Sequence, residues 1–375
     1  MKVLMLLGRS TGGIGTHVAE LSANLRDLGD DVIVVTHPLT AQRFDFGTVR
    51  LWWPGSTGWV HCARDFVRLR RLAFASDIIH AHGHQSALLA TLATLGTRGR
   101  QKRPKRIVTQ HNAVLSGSGR QGAKRLAQRW VVRHADLSTG VSRDLVEEAQ
   151  RFGARRTGLA DVPSPRVPQL LAQAPADGAT RARLRATLLS STPLTQVDLA
   201  LPLVVTISRI APQKNLPVLV DAAARMRTTC TWVVLGDGDP DLLARLQLQV
   251  RAWGAPVHFL GARADADQWL RAAEVFVLPS EWEGQPLVVQ EAMAAGTPVV
   301  ASEAGGLHDM VSGTGLLVIP SNSEGFALAT DRVLGDPGLR TDLAGRGRAA
   351  ARALPNGRDT ASKWRALYAE TLVMT

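Results

Sequence analysis

Two carboxylates, Glu283 and Glu291, flank the run Gly284-Gln-Pro-Leu-Val-Val-Gln290, which follows an apolar segment. Pro286 suits the first position of a helix, where its missing N–H costs nothing. The N–H groups of Leu287, Val288 and Val289 would then point out of the helix start toward an anion. Gly284 lets such a loop approach a ligand closely. Glu283, ahead of the helix, could accept a sugar hydroxyl, and Glu291, a turn deeper, could grip a ribose diol. An anion at the helix start with hydroxyls on the carboxylates is the chemistry of a phosphorylated sugar. The same spacing also fits a plain surface strand-loop-helix whose carboxylates complement the helix dipole, and it leaves both readings open.

Further groups stand at the ends of apolar runs. Arg209 and Lys214 follow the run Leu203 to Ser208 and would bring two cations to its carboxyl end, or be solvated loop charges. His111 stands just past Arg106 to Gln110, as a ligand-facing or a structural histidine. Gly12-Gly13-Ile-Gly15 follows the first apolar run and permits close backbone approach, but it lacks the third glycine of a dinucleotide fingerprint. His80, His82 and His84 alternate as a strand places residues on one side, and a strand ending at a ligand cleft explains them better than a metal does. Asp237-Gly-Asp239 and Asp265-Ala-Asp267 each have the form of a metal-binding pair. The first sits in a tight turn and the second reads as a helix start with capping carboxylates, so no metal is expected.

The elements that must position these groups follow from periodicity. Lys2 to Leu7, a glycine loop, then Val18, Leu21, Leu25 and Leu28 at helical spacing, then Asp31 to Thr36, form one βαβ unit. Asp77 to Ala81, Arg106 to Thr109 and Leu137 to Val141 continue the pattern. The second half repeats it with Leu203 to Ser208, Thr231 to Leu235, Val257 to Leu260, Val275 to Pro279 and Pro298 to Ala301. Helix-length segments between strands predict α/β domains with parallel sheets covered on both faces. From Arg155 to Pro202 the pattern dissolves into Pro, Ala, Ser, Thr and Gln, with one short helix near Ala179 to Leu189. Asp359 to Leu372 closes the chain as a helix with Trp364, Leu367, Tyr368 and Leu372 on one face.

At 375 residues, 45% hydrophobic and 20% charged, the chain is long enough for two domains with separate cores. The apolar run Val3 to Leu7 is too short for a signal-peptide core, and no run reaches a membrane span, so a cytoplasmic protein is expected. Cys62 and Cys230 are far apart and suggest neither a disulfide framework nor a metal site. Residues 1–170 hold 25 Lys and Arg against 12 Asp and Glu, whereas the remainder is nearly balanced. The excess clusters at Arg98, Arg100, Lys102, Arg103, Lys105 and Arg106, at Arg64, Arg68 and Arg71, and at Lys124, Arg125 and Arg129 beside Leu126, Trp130 and Val131. An anionic membrane surface on the cytoplasmic face is the expected partner, with solvated surface charge as the alternative.

The wording of these motifs carries a resemblance. Ser280-Glu-Trp-Glu-Gly-Gln-Pro-Leu-Val-Val-Gln-Glu-Ala-Met-Ala-Ala-Gly-Thr-Pro-Val-Val300 resembles the two-glutamate segment of the glycosyltransferase 4 family, retaining enzymes with the GT-B fold that use nucleotide sugars. Ser208-Arg-Ile-Ala-Pro-Gln-Lys-Asn215 is similar to its phosphate-binding segment, with Ser208 and Asn215 where the family has glycine. Val233-Val-Leu-Gly-Asp-Gly-Asp-Pro240 is similar to its Gly-Asp-Gly-Pro turn. Gly12 to Gly15, Asp77 to His82, Thr109 to Asn112 and Ala304 to Asp309 line up in order.

The resemblance implies two Rossmann-like doubly wound domains facing a central cleft. They comprise an acceptor-binding domain at 1–165, a connector at 166–202, a nucleotide-sugar domain at 203–355 and a final helix 356–375 returning to the first. It implies hexosyl transfer from a UDP-, GDP- or ADP-sugar to a sugar, lipid or small-molecule hydroxyl. His111, Arg209, Lys214 and Glu283 would be catalytic. Gly13, Gly15, Gly236, Gly284, Pro286, Leu287, Val288 and Glu291 would bind the donor. A nucleotide-sugar epimerase or phosphorylase of the same fold is the alternative. A nucleic-acid-binding protein would explain only the basic half, and no nucleic-acid motif accompanies it.

Overall fold

The computed structural model describes residues 1–51, 59–95, 103–113, 121–194 and 198–374. The chain forms two compact units, 1–165 with 355–375 and 166–354.

The first unit is built on β1 Lys2–Leu7, β2 Asp31–Thr36, β3 Val49–Leu51, β4 Ile78–His82, β5 Lys105–Gln110, β6 Leu137–Gly140 and β7 Thr157–Leu159. They pair in the order β3-β2-β1-β4-β5-β6-β7, and every pairing is parallel. Val3 to Leu7 and all of β4 are buried, as expected of strands with helices on both faces. Leu4, Leu6, Val35, Ile79 and Val108 meet Leu69 and Val131 of the covering helices in one core cluster. The strand order reverses between β1 and β4, and a doubly wound sheet binds ligands beyond the carboxyl ends at such a point. The helix Gly357–Val373 packs on the helix Gly13–Asp27, with Trp364 and Tyr368 buried. Lys363 to Asp161 at 2.6 Å and Arg365 to Asp30 at 3.4 Å add ion pairs within the same unit.

The second unit repeats the plan with β8 Leu203–Ile207, β9 Thr231–Leu235, β10 Val257–Phe259, β11 Val275–Leu278, β12 Val299–Ser302 and β13 Leu316–Val318, ordered β10-β9-β8-β11-β12-β13. Its reversal lies between β8 and β11. Residues 166–202 are part of this unit. They carry two helices, Val167–Ala172 and Gly178–Ser190, where the sequence suggested one. Arg348 fixes the first of these by donating to the carbonyls of Leu171 at 2.7 Å, Gln173 at 2.5 Å and Ala294 at 2.6 Å. Among the described residues no helix is long and apolar enough to cross a membrane.

The basic stretch before β5 departs from expectation. Arg98, Arg100 and Lys102 lie outside the described residues. Arg103 is paired with Asp136 at 2.8 Å, Lys105 donates to the Met374 carbonyl, and Arg106 is buried against Thr94. The three described cations therefore serve the fold. By contrast, Arg64, Val67, Arg68 and Arg71 share one exposed face of the helix Trp59–Phe74. Lys124, Arg125, Leu126 and Arg129 are exposed on the helix Gln121–His134, where Val131 is buried.

Candidate active site

In the second unit the site is assembled from the two loops that leave β8 and β11, the strands on either side of the reversal. The loop after β8 ends in a tight turn, Pro212–Lys214, and Asn215 then takes a left-handed conformation at φ +50° before the helix Leu216–Arg225. Asparagine is one of the few side chains that adopts this backbone readily, which explains how it stands where a glycine is usual. The loop after β11 lies directly alongside. Gln213 donates to the Trp282 carbonyl at 2.8 Å, and the Glu281 N–H donates to the Gln213 carbonyl at 2.9 Å.

Sewing these loops together puts Lys214 on Glu283. The ammonium donates to the Glu283 carboxylate, and Ser280 Oγ donates to the same oxygen at 2.6 Å. Glu283 is only 6% exposed. Its carbonyl accepts from the Gly306 N–H at 2.9 Å, and Gly305, at φ +55°, lets that loop close. A Cβ at Gly305 would stand 2.2 Å from the Glu283 carbonyl oxygen. Arg209 is exposed, and its side chain makes no hydrogen bond or ion pair with a described residue. It is thus an uncommitted cation on the loop that holds Lys214.

The helix that follows is Leu287–Ala295. Pro286 is its N-cap rather than its first helical residue, and its carbonyl accepts from the Val289 N–H at 3.1 Å. Leu287 and Val288 therefore keep N–H groups without an intrahelical partner, and Val289 does not. Gly284 is buried in the loop ahead of them. Glu291 is 8% exposed and faces the Arg166 guanidinium at 3.8 Å.

Gly236, expected at the donor, is also required by packing. At φ +140°, a Cβ there would stand 2.0 Å from the Ser208 carbonyl oxygen, so it backs onto the loop that carries Arg209. The turn it opens also pairs with that loop, the Ile210 N–H donating to the Asp237 carbonyl at 3.0 Å. Its two aspartates are committed: Asp237 accepts from Ala262 N–H at 2.9 Å, and Asp239 caps its helix through Asp241 and Leu242. Asp265 stands at an N-cap position but makes no side-chain cap, because Arg263 holds its carboxylate at 2.7 and 2.9 Å. Among the described residues no group of three or more His, Cys, Asp or Glu is placed to hold a metal ion.

In the first unit, histidines gather at the corresponding reversal. His80 and His82 of β4 lie ring on ring, with centroids 4.1 Å apart. His82 Nδ1 is 3.1 Å from His111 Nε2, and His17, from the helix after the glycine loop, approaches both rings at 5.7 to 5.8 Å. His84 instead begins a helix and bonds the Asn112 carbonyl at 3.0 Å. Burial pushes His17 down to about 4 and His80 to about 3, and holds His82 and His111 well below the usual imidazole range. All four are neutral near pH 7. Gly13 begins the helix Gly13–Asp27, exposed. Gly15 is required by packing, since a Cβ there would stand 2.3 Å from the Phe44 ring.

Comparison with known proteins agrees with this anatomy. The family described as "Glycosyl transferase 4-like domain" matches residues 12–165, and "Glycosyl transferases group 1" matches residues 201–336. The chain has the GT-B fold, and its two halves match two glycosyltransferase families. It is 36% identical over 149 residues to the lipopolysaccharide core biosynthesis glycosyltransferase LpsE of Rhizobium meliloti, covering 39% of this chain and 43% of that protein. It is 29% identical to the alpha-D-kanosaminyltransferase of Streptomyces kanamyceticus, covering 80% of this chain and 78% of that one. The first of the curated relatives are thus matched over less than half of their own length. Anabaena HepE in complex with UDP shares the fold at a TM-score of 0.80 and 22% identity, covering 99% of this chain and 100% of its own.

Within these two units, sequence reasoning overlooked Gln213, Arg166 and His17. A histidine on the same helical face as the buried Val18, Leu21 and Leu25 was the available signal for His17. Nothing in the sequence marks Arg166, which reaches Glu291 only through the fold.

Proposed function

We propose that this chain transfers a hexosyl group from a nucleoside-diphosphate sugar to an acceptor hydroxyl, with retention at the anomeric carbon and without a metal. The observation that carries the reading is the junction of Lys214 with Glu283 beside the open N–H groups of Leu287 and Val288. A diphosphate bonded to Lys214, Arg209 and the helix start has its sugar next to Glu283, and Glu291 takes the ribose diol. In the step itself, the bond from the anomeric carbon to the diphosphate oxygen breaks and one to the acceptor oxygen forms on the same face. The acceptor proton passes to the departing diphosphate. Fixed cations stabilise the charge that develops on the leaving group, which is the work a metal performs elsewhere. The name of LpsE points to lipopolysaccharide core synthesis and that of the kanosaminyltransferase gives a sugar but no acceptor, so the acceptor class is left as glycolipid, polysaccharide or small molecule.

Binding of UDP-, GDP- and ADP-sugars with a chelator present, followed by assay of nucleoside diphosphate release with candidate acceptors, tests this reading. Binding of one nucleotide, acceptor-dependent release and a product of unchanged anomeric configuration support it. Release that needs only inorganic phosphate, or conversion of the donor without any acceptor, favours a phosphorylase or an epimerase instead.

A second element concerns location. We infer that the first unit rests on the anionic surface of a membrane from the cytoplasmic side. The exposed Arg64, Arg68, Arg71, Lys124, Arg125 and Arg129 alternate with exposed Val67 and Leu126. The two helices carry no acidic residue except Asp65, which is tucked against Arg68 at 3.5 Å. Each such cation near anionic lipid contributes about 1 kcal/mol. Sedimentation with anionic but not zwitterionic vesicles, abolished by Arg64, Arg68 and Arg71→Glu, is the expected result. Equal recovery with both vesicle types overturns it.

A further inference from the structure

The loops after β8 and β11 are fastened to each other independently of Lys214 and Glu283. The Gln213 amide donates to the Trp282 carbonyl at 2.8 Å, and the Glu281 N–H donates to the Gln213 carbonyl at 2.9 Å. On the other side, the Gly306 N–H holds the Glu283 carbonyl at 2.9 Å. The backbone of Glu283 is thus fixed from both sides, and it is the long, flexible Lys214 side chain that opens the pair. Ser280, fully buried, stays behind with its hydroxyl on the carboxylate at 2.6 Å.

Opening leaves a carboxylate that is only 6% exposed with that one hydroxyl as its partner. A buried charge that loses its counter-ion is costly to a folded protein. An anion that takes Lys214 has to meet this cost unless it also brings a hydrogen-bond donor to Glu283. A sugar on the diphosphate brings hydroxyls, and an ionised diphosphate alone brings none. Arg209, the other cation of the loop, is exposed and bonds no described residue, so it is open to either ligand.

We propose that Glu283 is a specificity determinant that acts as a built-in rival anion on Lys214, so that the site favours a nucleoside diphosphate carrying a sugar over the same one without it. This rests on the transfer reaction proposed above and deepens its account of the donor site. An incoming anion meets only the fraction of molecules in which Lys214 is free, and its apparent affinity falls by that fraction. A pair closed about ten times as often as open weakens a sugarless diphosphate about tenfold, whereas a donor whose hydroxyl takes over the carboxylate recovers the loss. After transfer the same rivalry acts on the product. Glu283 retakes Lys214 once the sugar has gone, and the nucleoside diphosphate is released.

Titration calorimetry tests this with a nucleotide sugar and the β-methyl ester of the same nucleoside diphosphate, two ligands of equal charge of which only one carries sugar hydroxyls. UDP-glucose, GDP-mannose and ADP-glucose with their matching methyl esters are the probes, and the pair that wild type binds is carried forward. In Glu283→Gln the amide no longer competes for Lys214 but still reaches Ser280 and a sugar hydroxyl. The methyl ester should bind about tenfold more tightly than to wild type, with the nucleotide sugar changed by less than about threefold. If Glu283 only grips the sugar, the methyl ester is unchanged and the nucleotide sugar weakens. If it only holds the fold, both weaken. Either result overturns the proposal, and so do equal gains for both ligands.

Ser280→Ala keeps the carboxylate and approaches the question from the other side. With one partner gone, Glu283 holds Lys214 harder, so the methyl ester should weaken by about threefold or more and the nucleotide sugar by less. A methyl ester bound as well as by wild type, or better, defeats the idea. A wild type that binds no nucleotide sugar defeats the transfer reading and the role with it. Binding and transfer by wild type, with variants that behave otherwise, defeat the role alone.

Discussion

The Lys214 ammonium and the Glu283 carboxylate are joined at a single oxygen that Ser280 also bonds. With side-chain exposures of 14% and 9%, the pair is largely withdrawn from water. On the proposed reading, a donor diphosphate competes with Glu283 for Lys214 and frees the carboxylate for a sugar hydroxyl.

Lys214→Ala should lower kcat/KM by about two to three orders of magnitude, the scale for removing one preorganised donor at a developing anion. It should also destabilise the fold by roughly 3 kcal/mol, because Glu283 is left buried beside Ser280 alone. Adding Glu283→Gln should restore the melting temperature without restoring transfer. Calorimetry and a turnover assay on both proteins check this, and a double variant as unstable as the single one defeats the argument.

Arg209 gives the opposite pattern. Its exposed side chain bonds no described residue, so Arg209→Ala should leave denaturant stability within about 0.5 kcal/mol of wild type. If it grips the diphosphate, the same change should weaken binding of the nucleoside diphosphate by about tenfold or more, through loss of a charge-assisted hydrogen bond. Titration calorimetry with the nucleoside diphosphate measures it, and unchanged affinity removes Arg209 from the site.

Two glycines separate strain from crowding. Gly236 and Gly254 both have positive φ, but a Cβ at Gly254 meets nothing within 4 Å, while one at Gly236 stands 2.0 Å from the Ser208 carbonyl oxygen. Gly254→Ala should cost about 1 kcal/mol from backbone strain alone. Gly236→Ala should cost more than about 2 kcal/mol and displace the Arg209 loop, lowering nucleotide affinity. Equal costs in chemical denaturation would mean that the close approach is not needed.

Acid should weaken the first unit. Burial holds His17 near 4, with Asp161 opposing only in part, and His80 near 3. The unfolded chain titrates near pH 6.5, so below that point it binds protons that the folded state refuses. Stability from these groups is complete above about pH 6.5 and falls as pH drops toward the folded values, by about 3 kcal/mol for His17 over the full range. Denaturant melts from about pH 7 to about pH 5, with hydrogen exchange followed across β4 and β5, should show the loss there. A flat profile contradicts it.

Much of the architecture was legible because buried parallel strands announce themselves as unbroken apolar runs, as in Lys2 to Leu7 and Thr231 to Leu235. The four sheet-edge strands β3, β7, β10 and β13 have three residues each, too short for period-two patterning to separate them from loop, and only β10 was anticipated. Within 155–202 the helix Val167–Ala172 went unseen because it is held by Arg348, a residue far away in sequence. At the site, Lys214 and Glu283 were nameable from their motifs, but that they touch depends on Gln213 tying two loops together. That Gly236 also makes room for the Ser208 carbonyl was not legible, because a glycine in a turn gives no sign of which backbone it faces.

The return of Gly357–Val373 to the first unit has a consequence for synthesis. Residues 1–165 leave the ribosome with Tyr368 and Trp364 still unmade, so His80 has no phenol to bond and the Gly13–Asp27 helix lies uncovered. At usual translation speeds the missing piece arrives roughly 10 to 40 s later, after the entire second unit. The first unit begins before the second and is finished after it, and ribosome stalling within Gly357–Val373 would leave its histidine network open.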